Sequence, residues 1–439
     1  MINEVDFLLK SKIITQDYDF YTIFPPLYNC TSKIFEKKEH DSFKSSLKNQ
    51  KFNLYIHIPF CFKNCSYCYY YKDFEQNNFE DYINAILDEF KEYASLNINI
   101  ENIYIGGGTP SIMPIKLIEK LVTKLLKYCK DNVEVTIEAN PMHLNKNYLI
   151  SLKSTGINRL SVGVQSLHKE ILEINNRGYS ANILIDNILL VKDNFKNVNV
   201  DLMVGLPGET LETFYYTCEN IFNIKPPSVT VYRLWKKKKI CKFNIIPNIE
   251  NVSSLINKIP NLNTQLEMIK MFLDSSNLNN YKNIYGAWFL LNDNFLNKYQ
   301  SQLYSNGQFI GLGPSAYSYL NNMILNNVCS IDLYINMLKK GNSIKCSGYF
   351  LNEDERELKL FFDRLKTGAK YSILNIPHGN FKLKEKIDFL INNNVFKMDD
   401  QHFFLHQDLS IYVDDIIYFL IPDNYKTVKD KCMMENYKV

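Results

Sequence analysis

Three cysteines fall within eight residues, Cys61, Cys65 and Cys68, at the spacing C-x3-C-x2-C. Thiols that close together cannot all pair as disulfides, and a zinc site usually takes four ligands. Iron–sulfur clusters are held by cysteine thiolates, normally four, so a set of three leaves one iron open to a ligand from outside the chain. An open iron is a place for chemistry. The plainer alternative is three buried structural cysteines, a rare arrangement at this spacing.

The flanking residues indicate how the thiols are held. Residues 52–58 are apolar and β-prone, and a helical pattern follows the cysteines, so a strand delivers them to a loop at its C-terminal end. Further strands read over 101–106, 133–138, 158–164, 198–204 and 228–234. Helical patterns lie between them near 78–96, 114–130, 145–155, 167–193 (interrupted at Gly178) and 210–224. Six strands alternating with helices predict a parallel α/β sheet. In barrels of that kind the working side chains gather at the C-terminal ends of the strands.

Chemistry-bearing residues do fall there. The turn Gly106-Gly107-Gly108-Thr109-Pro110 follows the second strand, and glycines let a backbone approach a ligand closely with its N–H and C=O groups exposed. Glu138 ends the third strand, a carboxylate able to accept from an ammonium or a ribose. Gln165 ends the fourth with two donors and an acceptor. Arg177, at the next helix, has a fork suited to a carboxylate. Asp201 lies inside the apolar fifth strand, where an unpaired carboxylate would be costly, so it requires a partner. After the sixth strand, Arg233 and the lysines at 236–239 read either as a solvated charge run or as partners for an acidic substrate.

In order, the lead-in Tyr55-Ile-His-Ile-Pro-Phe-Cys61, the three thiols with Tyr67 before the last, GGGTP, Glu138-Ala-Asn-Pro141, GINRLSVGVQS over 156–166 and DLMVGLPGET over 201–210 resemble the radical S-adenosylmethionine (SAM) superfamily. The lead-in narrows the resemblance to the oxygen-independent coproporphyrinogen III oxidase-like branch, which includes the class C radical SAM methyltransferases. The resemblance implies an α/β fold, a partial (β/α)6 radical SAM barrel with an N-terminal arm and a mostly helical C-terminal domain. It implies a 4Fe-4S cluster on Cys61, Cys65 and Cys68, and SAM on the open iron, cleaved reductively to a 5′-deoxyadenosyl radical. Tyr55, Gly107 and Glu138 are then expected to face that SAM. Tyr67, Gly108, Thr109, Gln165, Arg177 and Asp201 are expected to face a second SAM or the substrate. The glycine-rich segment at 309–319, with Leu312, resembles the stretch that closes the barrel mouth against the adenosine. Tyr70 stands where the oxidases carry a further cysteine, and Trp235 where they carry a small residue. The expected reaction is methyl or methylene transfer from the second SAM to an unsaturated carbon of a small acidic or aromatic substrate. Oxidative decarboxylation of a porphyrinogen and haem delivery without turnover are the alternatives, and a flavodoxin or ferredoxin is the expected reductant.

Whole-chain properties bound this reading. The chain has 439 residues, enough for two or three domains. Expected divisions are an arm at 1–50, the barrel at 51–240, a barrel-closing extension at 241–350 and a C-terminal domain at 351–439 that caps the substrate. The prolines of the arm, Pro25 and Pro26, enforce an extended path and resemble a segment that lies over the active site. A net charge of +3 argues for neither nucleic-acid nor membrane partners. Seven cysteines outside the loop show no framework spacing, no apolar run is long enough for a membrane span, and the first residues lack a signal-peptide pattern. A cytoplasmic location is expected.

Overall fold

The structure, a computed structural model, describes residues 2–15, 24–27, 30, 43, 45–68, 70–75, 78–234, 255–305, 307–377 and 381–426. Trp235 and the lysines at 236–239 lie outside the described residues. Six parallel strands form the centre, paired in chain order: β1 (Lys51–Ile58), β2 (Asn99–Gly107), β3 (Cys129–Ala139), β4 (Arg159–Gln165), β5 (Asn197–Val204) and β6 (Ser228–Arg233). Beyond a short N-terminal helix, α1 (Ile2–Lys10), the crossover helices are α2 (Phe79–Ala94), α3 (Ile115–Leu126), α4 (Lys146–Ser154), α5 (Lys169–Ile174), α6 (Ala181–Asn194) and α7 (Leu211–Ile224). Helix α3 stops earlier than its apolar period suggests because the chain enters β3 at Cys129. The long pattern at 167–193 is two helices, and the loop between them, with Gly178 at φ +50°, carries Arg177.

Strand alternation explains the interior. Leu54, Ile56, Ile103, Ile105, Val135, Ile137, Leu160, Val162, Val200, Leu202, Val229 and Val231 are all buried on the face that packs under the helices. The opposite face carries Asn53, Tyr55 and His57 on β1, Asn102 and Tyr104 on β2, Glu134, Thr136 and Glu138 on β3, Arg159 and Ser161 on β4, Asn199 and Asp201 on β5, and Ser228 and Thr230 on β6. A closed eight-stranded barrel fills its interior with branched apolar side chains. This inner face is instead a hydrogen-bonded polar lining, suited to holding a polar ligand.

The sheet does not close, because β1 and β6 each pair outward. The extension supplies β7 (Lys282–Tyr285) and β8 (Trp288–Leu290) beyond β6. Beyond β1 lie β9 (Phe309–Leu312), β10 (Tyr317–Leu320), β11 (Met323–Asn327) and β12 (Lys345–Phe350), making one sheet of twelve strands. Helices α8 (Leu262–Leu278), α9 (Lys298–Tyr304) and α10 (Ile331–Lys339) belong to the same extension. Helix α9 plugs the lower lumen, where its Lys298 N–H donates to Glu134 (3.0 Å) and its Gln302 accepts from Asn102 (2.6 Å). The expected extension is thus a continuation of the central sheet at both of its edges. Among the described residues no helix is long and apolar enough to cross a membrane.

The C-terminal region holds α11 (Glu353–Lys366), α12 (Phe381–Asn392), α13 (Val413–Leu420) and a small antiparallel sheet of β13 (Tyr371–Ser372), β14 (Phe396–Asp399) and β15 (His402–Leu405). Asn352 and Glu355 form a capping box that starts α11, as the acidic first turn suggests. Phe24, beside the arm's two prolines, packs edge-on against Phe362 of α11 and against Tyr425. Arg233, read as a possible substrate contact, is instead occupied structurally. It pairs with Asp415 of α13 at 2.5 Å, both almost fully buried, and donates to the Thr15 carbonyl. Removing one partner of a buried pair leaves an uncompensated charge. Arg233→Met is therefore expected to destabilise the chain by about 3 kcal/mol, and Arg233→Met with Asp415→Leu by clearly less, both measured by denaturant unfolding.

Candidate active site at the barrel mouth

The cysteine loop is braced from three sides. At its base, Cys61 N–H donates to the Asp73 carbonyl (2.9 Å) and Asp73 N–H to the Pro59 carbonyl (2.8 Å). From β2, Gly108 N–H donates to Ile58 C=O and Thr109 N–H to Phe60 C=O, both at 2.8 Å, while Thr109 Oγ1 lies 3.3 Å from Cys61 Sγ. A Cβ on Gly108 would stand 2.7 Å from Phe60 O and 2.9 Å from Cys61 Sγ, so only glycine permits this approach. From the α5–α6 loop, Ser66 Oγ donates to Asn175 Oδ1 (2.5 Å) and Asn176 Nδ2 to Asn64 C=O (2.8 Å). Arg177 donates to Tyr67 OH (2.7 Å) and to the Gly163 carbonyl, with Nη1 3.8 Å from Cys65 Sγ.

The glycine turn accordingly differs from its expected use. Its N–H groups do not stand open to a ligand: Gly107 donates to Glu138 (3.1 Å), and the next two hold the cysteine loop. The turn acts mainly by letting two backbones touch.

The donor set fits a cluster. Burial pushes the Cys61 thiol up to about 11, and Cys65 and Cys68 are near enough to act on it electrostatically. Yet among the described residues no three His, Cys, Asp or Glu side chains converge tightly enough for a single ion. Soft thiol donors suit an iron–sulfur group rather than a hard cation.

Polar groups with spare capacity surround the space next to the thiols. Glu138 accepts from Tyr104 OH (2.9 Å) as well as from Gly107. Burial, then the nearby Asp201 charge, raise its pKa to about 7. Asp201 has the partners its burial demanded, but they are neutral: Ser161 Oγ and Asn199 Nδ2, both at 2.9 Å. Burial holds it at about 6. Tyr55 OH lies 3.1 Å from Nδ1 of His57, a ring that burial holds down at about 4 and so neutral. Gln165 sits at φ +71°, and Ser166 N–H donates back across it to Val164 C=O (2.9 Å). That is a γ-turn of the rare, strained kind, which aims an amide with no hydrogen bond to any described residue at the strand ends. Arg177 Nε is buried with no hydrogen-bond partner among the described residues. Unpartnered acceptors and donors at one strand-end rim are what a zwitterionic amino-acid ligand such as SAM requires.

The structure thus brings Tyr55, Tyr67, Gly107, Gly108, Thr109, Glu138, Gln165, Arg177 and Asp201 to one rim. Leu312 is placed differently. Strand β9 aligns Leu312 with Ile56 on the helix-packed face, fully buried, so its side chain turns away from the inner face.

Sequence reasoning missed two features. Arg159 is fully buried on the inner face, its Nε and Nη1 without a hydrogen-bond partner among the described residues, and its charge acts on Glu134, Glu138 and Asp201. The second is a set of tyrosines. Tyr104 stacks on Tyr55 (6.3 Å between centroids) and contacts Tyr299 of α9 (5.2 Å). Tyr232 brings a further phenol near Glu138 and Asp201, whereas Tyr304 and Tyr317 lie near Asp363 of α11. Odd-position polarity in β-prone runs could have indicated the first, but the tyrosines merge into the apolar pattern.

Comparison with known proteins decides the family. The radical SAM superfamily profile matches residues 55–221, which span β1 to α7 and include all three thiols. Over those residues the chain is a radical SAM superfamily domain. Its cofactors are therefore a 4Fe-4S cluster and SAM. It is 37% identical to the heme chaperone HemW of Buchnera aphidicola subsp. Acyrthosiphon pisum over 42% of this chain and 50% of that one. It is 28% identical to HemW of Buchnera aphidicola subsp. Schizaphis graminum over 82% of this chain and 98% of that one. The solved coproporphyrinogen III oxidase HemN of Escherichia coli shares the fold, with a TM-score of 0.77 at 20% identity over 92% of this chain and 99% of that one. The chain is thus similar to the HemW proteins in sequence and to HemN in fold.

Two outcomes follow from the geometry. Gly108→Ala forces the turn away from Phe60 and Cys61, so the folded variant should retain less than half of the wild-type iron after reconstitution, as iron and sulfide assays would show. Glu138 has a raised folded-state pKa, from about 4.5 to about 7, so its contribution to stability is present below 4.5 and lost as pH rises through 7. Glu138→Gln should therefore be more stable than wild type by roughly 1–2 kcal/mol at pH 8, a gain that shrinks toward pH 5 in thermal melts.

Proposed function

We propose that the chain binds SAM against a cluster held by Cys61, Cys65 and Cys68, and handles a tetrapyrrole between the barrel mouth and the C-terminal domain. When bound, the cluster and SAM supply the superfamily's 5′-deoxyadenosyl radical. The observation that carries the reading is the meeting of the thiol loop with Glu138, Gln165, Arg177 and Asp201 at a rim backed by stacked tyrosines. Glu138, able to change protonation near neutral pH, would accept from the SAM ammonium. Tyr55 and the backbone at Leu312 would flank the nucleoside. The tyrosines offer flat apolar faces to a conjugated ring and phenolic groups to its edge.

Haem handling is favoured over decarboxylation by two observations. Similarity to a protein named a heme chaperone runs along 82% of this chain, and Tyr70, half-exposed beside the last thiol, replaces the oxidases' extra cysteine. Methyl transfer, the expectation from sequence, gains no support. Arg177 and Tyr67, expected at a second SAM, hold each other and the cysteine loop. The relatives described above are named as chaperones or an oxidase, not as methyltransferases.

The test is anaerobic reconstitution followed by SAM and reductant, with haem or coproporphyrinogen III added, reading nucleosides by chromatography and haem by absorbance. Stoichiometric haem binding with slow 5′-deoxyadenosine formation is expected. Decarboxylated porphyrinogen would favour the oxidase reading, and S-adenosylhomocysteine would favour methyl transfer. Failure to bind any tetrapyrrole would overturn the proposal.

A further inference from the structure

A carboxylate in the middle of an amphipathic helix belongs on the solvent side, yet Glu89 of α2 is 2% exposed. Its Oε2 accepts from Gly313 N–H (2.9 Å) and Tyr334 OH (2.6 Å). Its Oε1 accepts from Asn327 Nδ2 (3.0 Å) and Lys345 Nζ (3.0 Å). Asn327 Nδ2 also donates to Gly313 C=O (2.8 Å), and Lys345 Nζ to Asn327 Oδ1 (2.5 Å). Both backbone groups of Gly313 are thereby held by one buried cluster. Its donors come from the β9–β10 turn, β11, α10 and β12.

Gly313 follows Leu312 at the edge of the mouth. It has φ +96°, and a Cβ there would stand 2.7 Å from Tyr82 OH and 2.9 Å from His57 O. Tyr82, also on α2, donates to His57 C=O at 2.5 Å. Helix α2 therefore grips the end of β1 through Tyr82 and the end of β9 through Glu89. Apolar residues could fill this volume, but only a carboxylate with four directed donors fixes the orientation of a backbone unit.

We infer that Glu89 is a positioning residue for SAM: with Lys345 it fixes the Leu312–Gly313 backbone at the mouth and so sets SAM affinity without touching SAM. The inference rests on the SAM site proposed above. Truncating one member of the pair leaves the other charge buried and frees the backbone to move.

The test is calorimetric titration of SAM into the reconstituted full chain, with iron content and melting temperature followed alongside. Glu89→Gln and Lys345→Met should each weaken SAM binding about tenfold at unchanged iron per chain, and Tyr334→Phe about threefold. The KM for SAM should rise while kcat at saturating SAM holds. Removing both charges together, as Glu89→Gln with Lys345→Gln, should recover most of the affinity. Should the charge variants fail to fold, Tyr334→Phe, which keeps both charges, carries the test. Wild-type affinity in the folded variants overturns this inference alone, as does a loss of affinity that only tracks a loss of iron. A wild type that binds no SAM removes the function proposal and this inference together.

Discussion

The close approach of two backbones governs the mouth of this molecule. The end of β1 and the glycine turn after β2 touch without an intervening side chain, and two amide hydrogen bonds at 2.8 Å fasten the cysteine loop to the neighbouring strand. A three-thiol loop without such a brace would be a flexible chelator. Fastened to the parallel sheet on one side and to the α5–α6 loop on the other, it becomes a fixed rim. The remaining site residues project from strand ends whose register the same sheet sets.

The second organising feature is the reversal of the usual barrel interior. Each central strand places its branched apolar residues under the helices, where burial contributes most of the stabilisation. The inner face is left to Asn, Ser, Thr, Tyr and charged groups that satisfy one another in chains, such as Ser228 and Thr230 on Asn199, and Asn199 on Asp201. Such a lining is costly if half-satisfied. The incompletely paired groups, Gln165, Arg177 Nε and Arg159, mark where the fold leaves capacity for something else.

Much of this was legible from residue order, because the relevant signals are local. The thiols lie in eight consecutive residues, each strand-end motif is short, and the α/β alternation repeats along the chain. What escaped depends on distance. Arg233 looked available because Asp415, its partner, is 182 residues away. Glu89 carries no local sequence signal because its donors arrive from 224 to 256 residues later. Leu312 lies in a four-residue strand, too short for periodicity to say which face it takes. The positive φ of Gln165 has no sequence signature, since glutamine does not ask for that conformation.

The account stands or falls on a vacant iron corner beside Cys61, Cys65 and Cys68, and electron paramagnetic resonance of the reduced, reconstituted chain examines it directly. The account predicts a 4Fe-4S signal whose g values change when SAM is added, and no such signal once any of the three cysteines is replaced by alanine. A signal indifferent to SAM, or a chain that takes up zinc in place of iron, would contradict it.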